Sequence, residues 1–407
     1  MTGPVPEQAP AANGDVTAPA DVVLRGGTVH RPGQPPAVAD VAVAGDRVIA
    51  IARGFAGRGA TEIDCTGTLV LPGLVDLHSH VYLGGRGGGV DPDEAHLGRG
   101  VVAVNDTGSS GLDNFNSNMR PVIEKSAARV SAYLNVSSVG ILGLVGPVYE
   151  VSELHDPEHR IRPDETVAMV RDNAEIIRGI KVRLSEHLAG REPLRFLDTA
   201  LDVAERSGVR LMVHVGATTC SLADILERLR PGDVVTHCFH GRTQAVVADG
   251  SVIAAAWRAR DRGVLFDVGH GTSQIAYRVA RQALAEGFYP DTIGSDLAVH
   301  NRPGPCYDLV TVISKLLALG LPFDAALRSV TAVPANVLGW DTDGYGRLAV
   351  GGLACVSVLR QLDEADELAD SNNPAVLEYL PVRRLEPVVT INKGAVVRPV
   401  AWAGAVQ

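Results

Sequence analysis

Between residues 74 and 335 the sequence alternates short apolar, β-like runs with stretches of helical spacing, and it does so eight times. The runs are 74–78, 101–107, 131–138, 179–184, 210–216, 234–239, 263–269 and 292–297. Between them, segments such as 163–178, 192–207 and 276–286 mix charged residues with aliphatics at helical intervals. A strand followed by a helix returns to a parallel neighbour in the same sheet. Eight such units therefore predict an α/β fold built on a (β/α)8 TIM barrel, whose functional residues gather where the strands end.

Outside this region the pattern changes. Residues 1–20 are rich in Ala, Pro, Gly and small polar residues and read as a disordered tail. From 21 to 72 come short β-rich runs (22–24, 41–43, 48–51, 62–64) of the kind that build a small antiparallel sheet. After 335 the runs 346–350, 355–359 and 388–392 are again β-like, whereas 363–374 is acidic and turn-rich and reads as a loop. The expected organisation is a barrel (73–335) flanked by one small β-sandwich assembled from both chain ends (21–72 and 336–401).

Charge and cysteine usage narrow the partners. A formal net charge of -10 argues against nucleic acid, and no polybasic run marks a membrane surface. No apolar stretch approaches the length of a membrane span, and the first residues lack a signal-peptide pattern. The five cysteines are scattered, odd in number and free of CxxC spacing, as expected of a reducing, cytoplasmic compartment. The expected partner is a small-molecule substrate.

Six residues at or near strand ends carry the chemistry. His78 and His80 close Gly-Leu-Val-Asp-Leu-His-Ser-His, and Lys181 lies in Gly-Ile-Lys-Val-Arg. His214 ends Leu-Met-Val-His, His237 follows Val-Val-Thr, and Asp296 sits in Ile-Gly-Ser-Asp-Leu. Histidines at i and i+2 of a strand share a face, so one strand end can present two imidazoles to one ion. Alone, the pair is weak evidence and reads more readily as two satisfied strand histidines; the later His, His and Asp on separate strands make a metal site the better reading. Imidazole and carboxylate are the ligands of hydrolytic zinc, and six groups are too many for one tetrahedral ion but suit two. A lysine there must be neutral, because burial near cations lowers its pKa. A neutral amine can capture carbon dioxide as a carbamate, whose two oxygens can join both ions; a lysine paired with an acid is the alternative.

These residues, with Asp106-Thr-Gly-Ser-Ser-Gly, Thr236-His-Cys-Phe-His-Gly and Asp267-Val-Gly-His-Gly, give a resemblance over about residues 21–400. The chain resembles the amidohydrolase superfamily, in the two-metal, carboxylated-lysine branch of dihydroorotases and hydantoinases, and within it the amidohydrolase/deacetylase group. The resemblance implies a metal-dependent hydrolase, commonly homo-oligomeric, with two divalent ions, zinc first among them. It implies that His78, His80 and Asp296 hold one ion, that His214 and His237 hold the other, and that carboxylated Lys181 bridges them. A bridging hydroxide then attacks the substrate, and Asp296 relays its proton to the leaving group. The implied substrates are acylated 2-hydroxy acids or N-acyl amino acids; cyclic amides or lactones are the alternative, and a scaffold without activity is the remote one. Two positions depart from the pattern. Dihydroorotases follow HxH with x-Arg to grip the substrate carboxylate, where this chain has Tyr82. Cys355 also stands where many relatives have Asp, in the small sheet.

Around the cage, Tyr82, Arg183 and His270 are candidate substrate contacts, with wall packing and a rim salt bridge as the alternatives for the first two. Gly84 to Gly89 is a candidate lid or carboxylate-binding loop. His240 and His300 follow ligand strands and are expected to support them. His30, His96, His155, His159 and His187 are expected to face solvent, and Cys238 to point into the core.

Overall fold

The computed structural model describes residues 13–14, 16–83, 88–141, 145–146, 149–150, 153–154, 156–373 and 377–401. Seven strands, Leu74–Ser79, Val101–Thr107, Arg129–Asn135, Ile177–Arg183, Arg210–His214, Val234–Thr236 and Leu265–Asp267, form a curled parallel sheet in chain order. The registers Val104↔Val130, Lys181↔Met212 and Val235↔Phe266 run through it. The first two strands are buried at every position, as expected when both faces of a parallel sheet are covered.

The connecting helices follow from local signals. Helix Pro193–Ser207 starts with proline at its first turn and stops at Gly208, whose left-handed backbone caps Ala204 and Glu205. It buries Phe196, Leu197, Ala200, Val203 and Ala204, one stripe of a 3.6-residue repeat. Helix Leu222–Arg228 is capped by Ser221, whose hydroxyl accepts from the Asp224 amide.

The eighth unit differs from expectation. Residues 292–297 form no regular strand and meet the sheet at single parallel bridges, Asp267↔Thr292 on one edge and Ser79↔Leu297 on the other. The reason is local. Asp296 has φ of 51°, which breaks the pleat. Buried carboxylates replace ladder partners: Gly294 donates to Asp267 and Ser295 to Asp76. The Asp296 amide still donates to the His78 carbonyl and the His80 amide to the Leu297 carbonyl, so the segment is tied to the first strand.

Both chain ends meet in one sheet, through Leu69–Pro72 antiparallel to Val356–Ala369. Its strands form one connected nine-stranded sheet that is mixed, where the early runs alone lead to an antiparallel one. The ten-residue strand Ala20–Val29 is long enough to pair in parallel with Gly59–Asp64 along its first half and with Leu69–Pro72 at its end. Its apolar face includes Leu24, Val41, Val70, Val356 and Val389.

Three sequence expectations need correction here. Part of the expected tail is ordered: Asn13–Gly14 pairs with Ala50 and Ile51, and the Val16 carbonyl accepts from Ala56 and Gly57. The acidic segment 363–374 is largely strand, because Val356–Ala369 pairs with Tyr379–Asn392 in a long hairpin. Its charges are solvent-exposed: Asp363 and Glu364 lie within a register shift of the strand and Glu367 just beyond it. Residues 346–350 form no strand, with turns at Gly346 and Val350, and Leu353 makes an isolated bridge to Arg47. Among the described residues no helix is long and apolar enough to cross a membrane.

Candidate metal centre

The sheet brings all six predicted residues to one end. His78, His80, Lys181, His214, His237 and Asp296 line a single cavity of about 520 Å³, with Arg183, Gly88, Ile141, Thr272, Gln274, Ala298, Val299 and His300. His78 lies in the first strand, Lys181 in the fourth and His214 at the end of the fifth; His80, His237 and Asp296 lie just beyond regular strand. His237 and Asp296 both hold left-handed backbone, with φ of 65° and 51°. For non-glycine residues this conformation is uncommon and is found where a site fixes the side chain.

Each imidazole is oriented by a partner on one nitrogen. His78 Nδ1 donates to Asp267 Oδ2 at 3.0 Å and His237 Nδ1 to the Gly269 carbonyl at 2.7 Å. His80 Nδ1 lies 2.8 Å from Ser109 Oγ, and His214 Nε2 lies 3.1 Å from Ser185 Oγ. The opposite nitrogens of His78 and His80 aim at Asp296 Oδ1, at 3.4 and 2.8 Å. The rings of His214 and His237 sit 4.2 Å apart and those of His78 and His237 5.1 Å apart. His78, His237 and Asp296 offer ligand atoms within 4.8 Å of one another.

The electrostatics fit a cation. Burial holds the His214 and His237 rings well below the ordinary histidine range, so both are neutral lone-pair donors. Burial and Lys181 also press on His78, but Asp296 and Asp267 outweigh them and leave it raised; a divalent ion displaces such a proton. Burial opposes charge on Asp296, yet His78 and His80 hold its carboxyl well below the carboxylate range. Lys181 is fully buried and forms no ion pair among the described residues; its Nζ lies 3.5 Å from His78 Nε2 and 3.4 Å from Met212 Sδ. Burial lowers it to about 8. Gly108, at φ of 83°, leaves room for its stem, since a Cβ there would stand 2.7 Å from Lys181 Cγ. Neutral imidazoles, a carboxylate and a lysine without an acid partner are a donor set that fits divalent metal ions.

The secondary candidates divide. Arg183 reaches the cavity wall and also makes the rim salt bridge: Nε and Nη2 grip buried Glu153 at 2.8–3.0 Å. Tyr82 does not face the cavity. The strand ends at Ser79, so the alternation that aims His80 stops; Tyr82 is 1% exposed and its hydroxyl accepts from Asn118. His270 is not a cavity residue either; it is fully buried with Nε2 2.9 Å from Lys315 Nζ. Of the glycine loop, residues 84–87 lie outside the described residues, and Gly88 lines the cavity. His240 is buried, its amide donating to the His237 carbonyl, whereas His300 is exposed and lines the cavity. His159 and His187 face solvent, and Cys238 is core. His96, however, is buried 3.5 Å from Asp76, and His30 is half-buried against Phe323. His155 lies outside the described residues.

Sequence reasoning gave no role to Asp267. This buried carboxylate accepts from His78, from the Thr236 and Thr292 hydroxyls and from the Gly294 amide. Its position at the end of the seventh strand was the available signal. Replacing Asp267 by Asn removes the charge that fixes the His78 tautomer; the expected result is a 10- to 100-fold loss of zinc affinity, measured by chelator competition. Unchanged affinity would show that the contact is dispensable.

The amidohydrolase family model matches residues 69–406. A deacetylase from Agrobacterium fabrum is 35% identical over 336 residues, covering 82% of this chain and 81% of that protein. A deacetylase from Enterococcus faecalis is 29% identical over 362 residues, covering 88% and 94%. Among solved structures, a dihydroorotase superposes with a TM-score of 0.84 at 31% identity, over 93% of this chain and 99% of that one. An adenine deaminase gives 0.82 at 27% identity over the same shares. With these likenesses spanning the whole cavity, the chain belongs to the amidohydrolase family as a metal-dependent hydrolase.

Proposed function

We propose that the chain is a binuclear hydrolase that cleaves the acyl ester or amide bond of a small carboxylate-bearing molecule, of the acylated 2-hydroxy acid or N-acyl amino acid type. The observation that carries this reading is the convergence of four histidines, Asp296 and a lysine with no ion pair among the described residues in one cavity beside Arg183. The reading includes a closed (β/α)8 barrel over 73–335, with residues 292–297 as its eighth staff. It places the enzyme in the cytoplasm, in keeping with five free cysteines, and as a homo-oligomer on the family likeness.

His78, His80 and Asp296 would hold one ion, His214 and His237 the second, and Lys181, carboxylated by carbon dioxide, would join them. Two divalent ions held there, zinc by preference, would supply an activated water at neutral pH and a Lewis acid for an acyl carbonyl. Asp296 accepts the proton of the attacking water and returns it to the leaving group. Arg183 spends Nε and Nη2 on Glu153, and its Nη1 has no partner among the described residues. That nitrogen is the donor for a substrate carboxylate, while Ile141, Ala298 and Val299 give an apolar wall for the rest of the molecule.

Metal analysis of the purified protein, with a panel of O-acetyl 2-hydroxy acids, N-acyl amino acids, hydantoins and lactones, tests the reading. A zinc-loaded protein inert toward every acyl ester and amide would overturn it. Cyclic amide hydrolysis is the second reading, favoured by the likeness to a dihydroorotase; preference for the ring substrates would select it. Within the panel, Arg183→Met is expected to raise KM about 10- to 100-fold for carboxylate-bearing substrates, the worth of one charge-assisted hydrogen bond, with kcat changed little. An equal effect on esters lacking a carboxylate would remove Arg183 from recognition.

A further inference from the structure

We propose that Lys315 is a positioning residue of the metal centre, which holds, through His270, the loop that orients His237 and walls the cavity. The inference rests on the metal-centre reading above. Lys315 lies on helix Leu309–Ala318, whose residues from 309 to 316 are all buried, and it is itself 0% exposed. No carboxylate pairs with it among the described residues. Its three donors instead meet His270 Nε2 at 2.9 Å, the Ala369 carbonyl at 2.8 Å and the Pro305 carbonyl. A buried amine is costly to leave without hydrogen-bond partners, so this geometry ties the position of each acceptor to Lys315.

The His270 ring is fixed in turn. Its Nδ1 lies 2.9 Å from the Gly271 carbonyl, which can only accept, so Nδ1 carries the proton and Nε2 receives the lysine. The backbone on either side reaches the cage. The Gly269 carbonyl is the acceptor that orients His237. The His270 and Gly271 amides donate to the Gly294 and Ser295 carbonyls, just before Asp296. Gly271 lies so close that a Cβ there would stand 2.3 Å from Asp296 Oδ2. Thr272 and Gln274 continue the loop as cavity wall.

The acceptor at Ala369 joins this loop to the long hairpin. From the same hairpin end, the Asn372 amide donates to the Thr272 carbonyl at 3.1 Å. The Tyr277 amide donates to Asp370 at 3.2 Å and its hydroxyl to the Leu368 carbonyl at 3.1 Å. Lys315 hydrogen-bonds both the hairpin and the histidine in the loop.

The test compares wild type, Lys315→Met, His270→Gln and the double variant, with zinc affinity read by chelator competition, and kcat and melting temperature beside it. Each single variant is expected to lose zinc affinity about 10- to 100-fold, the range for groups that orient ligands. The double variant is expected to lose little more, because the two act in series. If Lys315→Met lowers only the melting temperature and binds zinc within twofold of wild type, the role is structural and the proposal fails. Additive losses would equally break the link. Should Lys315→Met not fold, His270→Gln alone decides by the same zinc readout. A wild-type protein that binds no zinc would instead refute the metal-centre reading itself, and this inference with it.

Discussion

Replacing Asp296 by Asn is expected to lower kcat/KM by about 10³-fold, within the 10²–10⁴-fold range of a positioned acid–base group. The carboxylate faces the cavity and lies 2.8 Å from His80 Nε2 and 3.4 Å from His78 Nε2. Those two rings outweigh the cost of burial and hold its pKa well below the ordinary value, so it is a carboxylate throughout the neutral range. Asn keeps the size and one acceptor oxygen but cannot take up a proton. It is also a weaker ligand for a cation, so zinc content must be measured beside activity. Full zinc content with the large loss assigns the proton transfer to Asp296. Loss of zinc in step with activity makes it chiefly a ligand. Full zinc content with activity within tenfold of wild type would remove it from the chemistry.

The site was more legible in the sequence than its surroundings, for a physical reason. Ligands must sit where strands end, and each of the six follows an apolar run that announces a strand, so the order of runs was enough to gather them. What supports them depends on contacts between distant segments. Asp267 reaches His78 across 189 positions and Glu153 reaches Arg183 across 30, and neither spacing leaves a local trace. Lys315 did leave one: it is the sole charged residue in Leu-Val-Thr-Val-Ile-Ser-Lys-Leu-Leu-Ala, an apolar run from which an exposed lysine has no ready exit. Tyr82 and His270 misled because each was chosen by its place just after a strand end, and that nearness along the chain does not bring either side chain into the cavity. The fold showed the same limit. Seven strands followed the runs, but the eighth gave way where Asp296 turns left-handed, and the terminal sheet took a branch that no single strand pattern encodes.

Lys181→Ala is expected, on the proposed binuclear reading, to cost about 10³-fold in kcat, together with part of the zinc, because none of the side chains that touch Lys181 could serve as the proposed bridge. Among the described residues Lys181 has no ion-pair partner, and the groups nearest its amine are a histidine nitrogen and a thioether. Burial lowers its pKa from 10.5 to about 8. The sign follows directly: a lowered lysine pKa enlarges the neutral fraction at a given pH. At pH 7.5 that fraction is about a quarter, against about 0.1% for an exposed lysine. Only the neutral amine can attack carbon dioxide; a C–N bond forms, the nitrogen loses a proton, and the product is an anionic carbamate. Wild-type apoprotein mixed with zinc at a fixed concentration of dissolved carbon dioxide, with bicarbonate set to match at each pH, is therefore expected to gain activity several-fold faster at pH 8.5 than at pH 6.5. Lys181→Ala is expected to show no dependence on bicarbonate at either pH. Full zinc content and activity within tenfold of wild type in Lys181→Ala would exclude the bridge. Wild-type activation that ignores bicarbonate would exclude the carbamate, while leaving the histidines and Asp296 as a cage for a different arrangement of ions.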